Sequence, residues 1–237
     1  QAIDHDETCT HLPLRGALIQ LGRSEDVHFE AAESSVLSIT TESSAGVVKF
    51  NSAAKDRADT LELSVSGDSA GLREELGRWF QFIQADRITP AAQYGQASTP
   101  DRERGWLGCG GEFTIDFLQQ NETKRISEKR QCPVERFGLD PKLLRQIAPT
   151  GSLVDQTAAW LQMLSPGVRL SAIPVDLADA TSLRFQYTNT EISSTPRNQR
   201  PSNVGFGLTY SLPIIVACLA AETGAILLLE NPEAHLH

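Results

Sequence analysis

Residues 203 to 237 read NVGFGLTYSLPIIVACLAAETGAILLLENPEAHLH, and this stretch decides the fold. It divides into a glycine-bearing loop (Val204-Gly205-Phe206-Gly207), a largely apolar helix from Leu208 to about Ala221, and a strand Ala225–Leu229 running into Glu230. Thr223-Gly224 supplies the turn between helix and strand. The run Ile226-Leu227-Leu228-Leu229 has no polar alternation, the pattern of a parallel strand covered on both faces. Its carboxyl end delivers carboxylates into a polar loop, which is where ligands sit in open α/β sheets.

Two other readings of the stretch are weaker. Leu212 to Leu229 is nearly apolar and reaches the lower length limit of a membrane span, but Glu222, Thr223 and Gly224 break it where a bilayer core would lie. Glu233, His235 and His237 alternate along one face of an extended segment, yet no thiolate or further His–Glu pair follows to complete a zinc shell.

On these residues the chain resembles the ABC-type ATPase heads of the SMC, RecF and OLD group. More closely, it is similar to a bacterial family of predicted AAA/ABC-type ATPases with a C-terminal domain of unknown function. Val204-Gly205-Phe206-Gly207-Leu208 falls on the signature loop of that group, and Leu227-Leu228-Leu229-Glu230-Asn231-Pro232-Glu233 on its Walker B segment, followed by Ala234-His235-Leu236-His237. The resemblance implies an α/β P-loop NTPase head with an antiparallel β subdomain over 17–87, a helical subdomain over 112–166, and the signature loop, helix and Walker B strand over 168–237.

ATP and Mg²⁺ are the cofactors that the resemblance implies. Glu230 takes the metal-holding position, because a carboxylate at this strand end neutralises the ion that bridges the terminal phosphates. Asn231 stands where a water-orienting glutamate is usual, and an amide cannot take a proton at neutral pH. Glu233, beyond Pro232, is the replacement base when the loop turns it inward, with His235 and His237 as the other candidates. Gln84, Asp86 and Arg87 correspond to the Q-loop that reaches the nucleotide's metal. Val204, Gly205, Phe206 and Gly207 would present backbone N–H groups to a partner's γ-phosphate, so the expected assembly is a homodimer through nucleotide. An effector protein or DNA is the further partner expected by analogy with DNA repair or phage defence. The rival reading, favoured by Asn231, is a regulatory or scaffold module without turnover; a nuclease reading lacks a dense Asp/Glu/Lys cluster.

Composition fits these expectations without naming a function. The chain has 237 residues, 40% of them hydrophobic, enough for a sizeable core. A formal charge of −9 excludes a generally basic polyanion binder and leaves only a local patch for such a role. Cys9, Cys109, Cys132 and Cys218 form no C-x-x-C pair, as in a reducing compartment. Asp4, Asp6 and Glu7 stand where a signal peptide would be basic, so the expected location is the cytoplasm. No Gly-Lys dipeptide occurs, so the phosphate-cradling G-x-x-x-x-G-K-[ST] loop is missing and the chain reads as an internal piece of a longer ATPase.

Ahead of the decisive stretch, period-two alternation predicts strands near 17–21, 35–40, 46–50 and 60–65, the last three as a meander. Asp68 caps a helix over Ser69–Arg78, and Trp79–Gln84 reads as a covered strand. Residues 91–111 read as a long mobile loop beside the nucleotide, with Arg102, Glu103 and Arg104 at its centre. Helices are expected over Glu112–Gln120, Pro141–Ile147 and Ser152–Leu164, with Trp160 and Met163 as core residues. Strands are expected over Val168–Val175 and Leu183–Tyr187, then a polar loop over residues 189–202. Pro213 should kink the apolar helix unless that helix starts later.

Overall fold

A computed structural model describes residues 11–16, 18–34, 36–44, 46–53, 58–77, 79–188 and 197–234. It mixes helices and strands, as an α/β reading requires. The chain divides into an N-terminal unit up to residue 78 and a C-terminal unit from Trp79 onward.

The N-terminal unit holds strand β1 (His11–Pro13), the single-turn helix α1 (Ser24–Val27), strands β2 (Val36–Ser43), β3 (Gly46–Ala53), β4 (Thr60–Glu62) and β5 (Ser64–Ser66), and helix α2 (Ser69–Leu76). The meander forms in the order β2-β3-β5, antiparallel throughout. The single strand expected over 60–65 is broken at Leu63, because its first half pairs with β1 and its second with β3. No strand forms over the described residues 18–21, where Gln20 makes only a bridge to Arg15. The strand lies earlier, at β1, where Pro13 is tolerated on a short two-stranded edge. Asp68 caps α2 by accepting from the Gly71 N–H at 3.0 Å. Among the described residues of this unit, Leu14, Val48, Leu61 and Leu72 are the buried large apolar side chains.

The C-terminal unit begins with strand β6 (Phe80–Ile83), followed by β7 (Tyr94–Gly95), helices α3 (Thr99–Glu103), α4 (Thr114–Gln120), α5 (Pro141–Ile147) and α6 (Leu153–Leu161). Strands β8 (Val168–Pro174) and β9 (Ala180–Tyr187), helix α7 (Phe206–Ala220) and strand β10 (Ile226–Leu229) complete it. Three of the helix starts have a local cause: Ser98, Asp140 and Ser152 cap α3, α5 and α6 through their side chains. One core runs through the unit, with Ile83, Leu107, Leu118, Leu161, Phe185 and Leu212 among its most buried members. The helices over 112–166 share this core with β9 and α7 and form no separate body. Trp160 packs against that core, whereas Met163, beyond the end of α6, is exposed.

Residues 91–111 are not a free loop. They contain β7 and α3, and the Asp116 carboxylate, fully buried on α4, holds them in place. Arg102 donates Nε and Nη2 to the two Asp116 oxygens, each at 2.8 Å, and the Ala97 N–H adds a third bond at 3.1 Å. A bidentate guanidinium and a backbone donor are what a buried carboxylate needs. Of the polar loop, residues 189–196 lie outside the described residues, and Gln199 pairs with Phe185 of β9.

Helix α7 starts at Phe206, two residues earlier than expected, and continues through Pro213. Nearly every side is buried, the condition of a helix that is apolar all round. At fifteen residues it falls short of the roughly 20 that a bilayer requires, and no described helix is long and apolar enough to cross one. Pro213 abuts Gly111, whose φ of 77° belongs to glycine and where an added Cβ would meet the Pro213 ring at 2.3 Å. Strand β10 pairs in parallel with β6, Leu229 opposite Ile83, and among the described residues β6 is its only ladder partner. The expected burial on both faces is incomplete, since Leu228 is 50% exposed.

Candidate functional site

The parallel pairing of β6 and β10 brings two segments far apart in sequence to the same edge, Ala85 and Glu230 being 145 residues apart. Gln84-Ala85-Asp86-Arg87 leaves β6 where Glu230-Asn231 leaves β10. The ladder continues one step past the strands, the Glu230 N–H donating to the Ile83 carbonyl at 2.9 Å. The Ala85 N–H then donates to the Glu230 carboxylate at 3.2 Å. One backbone donor thereby orients an exposed carboxylate at the carboxyl end of two parallel strands.

Arg87 organises what surrounds it. Its side chain is 3% exposed. Nη1 donates to the Glu230 carbonyl at 2.9 Å and to the Gln84 carbonyl at 3.4 Å, and Nη2 donates to the Asn231 carbonyl at 3.1 Å. The guanidinium carbon lies 4.3 Å from the centroid of the Tyr210 ring. Burial pulls the Arg87 pKa down, and Tyr210 and Glu233 oppose that pull; an arginine stays charged regardless. Arg87, expected as a ligand-facing group, is therefore placed inside as the clamp of the Glu230–Asn231 turn.

The other expected residues are placed as follows. Asp86 and Glu233 are exposed at the same edge, and Gln84 is partly buried, its N–H donating to the Cys109 carbonyl at 2.8 Å. Asn231 is exposed with φ 42°, a left-handed conformation that asparagine tolerates better than most residues, and its carbonyl also accepts from the Ala234 N–H. His235 and His237 lie outside the described residues. Gly205 is the N-cap of α7, Val204 and Gly207 are partly buried, and Phe206 is exposed. This loop is linked to the strand ends through aromatic rings: Phe206 stands 5.3 Å from Tyr210, and the Tyr210 hydroxyl donates to the Ala85 carbonyl.

Two parts of the edge are absent from the sequence-based expectation. Tyr210 is one; in an apolar helix it reads as core. The other is Gly108-Cys109-Gly110-Gly111-Glu112, which runs beside the β6 exit through Gln84 N–H to Cys109 O and Ile88 N–H to Gly110 O, both 2.8 Å. Its signal was a dense glycine cluster ending in an acid just before a helix. Burial and the neighbouring Glu112 push the Cys109 thiol up to about 11, so it stays protonated and inert.

Among the described residues no three His, Cys, Asp or Glu side chains converge to hold a metal by themselves. Mg²⁺ bound with nucleotide uses one or two carboxylates and completes its shell with phosphates and water. Glu230, exposed and oriented by Ala85, fits that requirement as a single ligand. Compared with protein-family models, curated proteins and solved structures, the chain finds no match in any of the three.

Proposed function

We propose that the chain forms part of an ATP-binding, ABC-type ATPase head that pairs with a second copy around nucleotide and switches a partner, an effector protein or DNA. The observation that supports this reading is the joint placement of the β6 exit and the Glu230–Asn231 turn at the carboxyl ends of parallel strands. Mg²⁺–ATP would supply the phosphoryl group and its charge neutralisation. Glu230 would hold the ion, its carboxylate oriented by the Ala85 N–H and its backbone carbonyl held by Arg87. Asp86 and Gln84 border the same opening. The reading requires a phosphate-cradling loop from sequence beyond these residues, because none of them supplies a Gly-Lys pair.

A second reading, a nucleotide-responsive module without turnover, is favoured by Asn231. Its side chain is an amide and its backbone is held by Arg87. The deciding experiment measures Mg²⁺-dependent ATP binding and hydrolysis by the full-length protein and by Glu230→Gln. Loss of the magnesium dependence in the variant supports the ATP reading, and an unchanged dependence removes Glu230 from the site. Binding without hydrolysis by the wild-type protein selects the second reading.

A further inference from the structure

Strands β8 and β9 pair over seven positions, from Val168 opposite Tyr187 to Pro174 opposite Thr181. Val168, Leu170, Leu183 and Phe185 face the core from this hairpin. Because side chains alternate, Arg169, Ser171, Ile173, Ser182, Arg184 and Gln186 share the opposite face, Ser182 being buried there with its hydroxyl donating to the Ala92 carbonyl at 3.1 Å. The chain returns to this sheet after residue 196, where Phe185 and Gln199 exchange two backbone hydrogen bonds at 2.9 and 2.7 Å. Gln186 Nε2 donates to Asn198 Oδ1 at 2.8 Å, which places Asn198 on the Arg184 face. The same register sets Arg200 opposite Arg184 and on that face.

The result is a local cationic surface on a chain whose net charge is −9. Ser171 lies opposite Arg184, and Arg169 opposite Gln186, so Arg169 and Arg184 are diagonal neighbours. Arg184 spends one donor on the Leu183 carbonyl at 3.0 Å, out of the five that a guanidinium carries. Arg169 and Arg184 are partly exposed and Arg200 is exposed, and none of the positions on these rows is acidic. Two like charges directly across a sheet repel each other, and an anion lying over both relieves that repulsion. Serine, glutamine and asparagine between the arginines are further donors of the kind that contacts phosphate oxygens.

We propose that this outer face of the β8–β9 sheet, carrying Arg169, Arg184 and Arg200, docks the phosphate backbone of duplex nucleic acid. Among the described residues the face carries no aromatic ring on which unpaired bases would stack, which argues against single strands. An anionic membrane fits less well. Recognition of acidic lipid takes clusters of about four to eight basic residues. The exposed Ile173 and Leu177, which a bilayer would favour, share the hairpin tip with the exposed Asp176 and Asp179. The inference rests on the DNA partner named in the proposed function but invokes no residue of the β6–β10 edge, so duplex binding measured without nucleotide can fail while the ATP reading stands.

The test is fluorescence anisotropy of the full-length protein with a labelled DNA duplex of mixed sequence, titrated over a range of salt without nucleotide. Each arginine that neutralises a phosphate contributes about 0.9 to the slope of log affinity against log salt. The Arg184→Gln/Arg200→Gln double variant should therefore lose about 1.8 of that slope. Arg184→Lys/Arg200→Lys should keep it, and Arg145→Gln, on the exposed side of α5, should leave binding unchanged. Circular dichroism confirms that each variant is folded. Duplex binding that is absent at about 50 mM salt, or equal in wild type and the double Gln variant, overturns the proposal. Vesicles containing phosphatidylserine form the second arm: binding to vesicles and not to duplex, lost in the Gln variant, assigns the face to membranes and overturns it as well.

Discussion

Arg87 and Asn231 are joined by a hydrogen bond from the guanidinium to a backbone carbonyl, Nη2 to O, at 3.1 Å. The same guanidinium holds the Glu230 carbonyl and lies over Tyr210. Replacing Arg87 by methionine leaves the carbonyls of Gln84, Glu230 and Asn231 without that donor and should destabilise the protein by roughly 2–4 kcal/mol. Lysine cannot span carbonyls that the planar fork bridges, so Arg87→Lys should recover only part of the loss. Denaturant midpoints of wild type and both variants measure it; equal losses for Lys and Met would show that the fork geometry is irrelevant.

A second expectation concerns turnover in the full-length protein under the ATP reading. Glu233 is exposed near Arg87, and its charge partly offsets the burial that lowers the Arg87 pKa. If that carboxylate orients the attacking water, Glu233→Gln should abolish hydrolysis while nucleotide affinity stays within about twofold, the signature of a group used only in the transition state. Asn231→Glu should raise the rate or leave it unchanged. Wild-type turnover in Glu233→Gln moves the base to another residue.

The Arg102–Asp116 clasp gives a third. Asp116 is fully buried and accepts from Arg102 and from the Ala97 N–H. Removing one partner of a buried pair typically costs about 3–5 kcal/mol. Asp116 is buried but the Arg102 side chain is 35% exposed, so Arg102→Met should cost less than that, and Arg102→Met/Asp116→Leu less than the single change. Thermal unfolding of the four proteins completes the cycle, and strictly additive losses would show no coupling.

Cys109 supplies a pH dependence. Its folded thiol pKa is about 11, raised by burial first and by Glu112 second, against about 8.5 in an unfolded chain. The folded state therefore keeps a proton that the unfolded state has released between those values. Stability is fully present below about pH 8.5 and falls as pH rises through the window, with a slope approaching 1.4 kcal/mol per pH unit. Cys109→Ser should remove this slope from urea midpoints measured across the window. At pH 8 the thiol should also resist iodoacetamide in native protein and react in urea, as read by peptide mass.

Most elements were legible because their causes are local. Proline at the first turn of α5, Ser152 ahead of α6, and the alternation of β8 all lie within a few residues of what they determine. The site edge was legible only in outline. Glu230 and Gln84–Arg87 follow from where two apolar strands end, but Arg87 finds its acceptors 143 and 144 residues away, and no periodicity announces that. Tyr210 is hidden for the same reason, since its hydroxyl bonds to Ala85 across 125 residues. The split of 60–65 into β4 and β5 and the anchoring of 91–111 by Asp116 are likewise decided by partners distant in sequence.

The contact between Gly111 and Pro213 has a consequence for descent. With Pro213 against it, position 111 has no room for a side chain, and with a side chain there the ring has no place to lie. Position 111 therefore cannot gain a side chain while Pro213 stays, although Pro213 can change ahead of it. In descendants of this sequence, a lineage that gains any side chain at 111 is expected to have lost the proline first, leaving a glycine facing an ordinary helical residue as the only neutral intermediate.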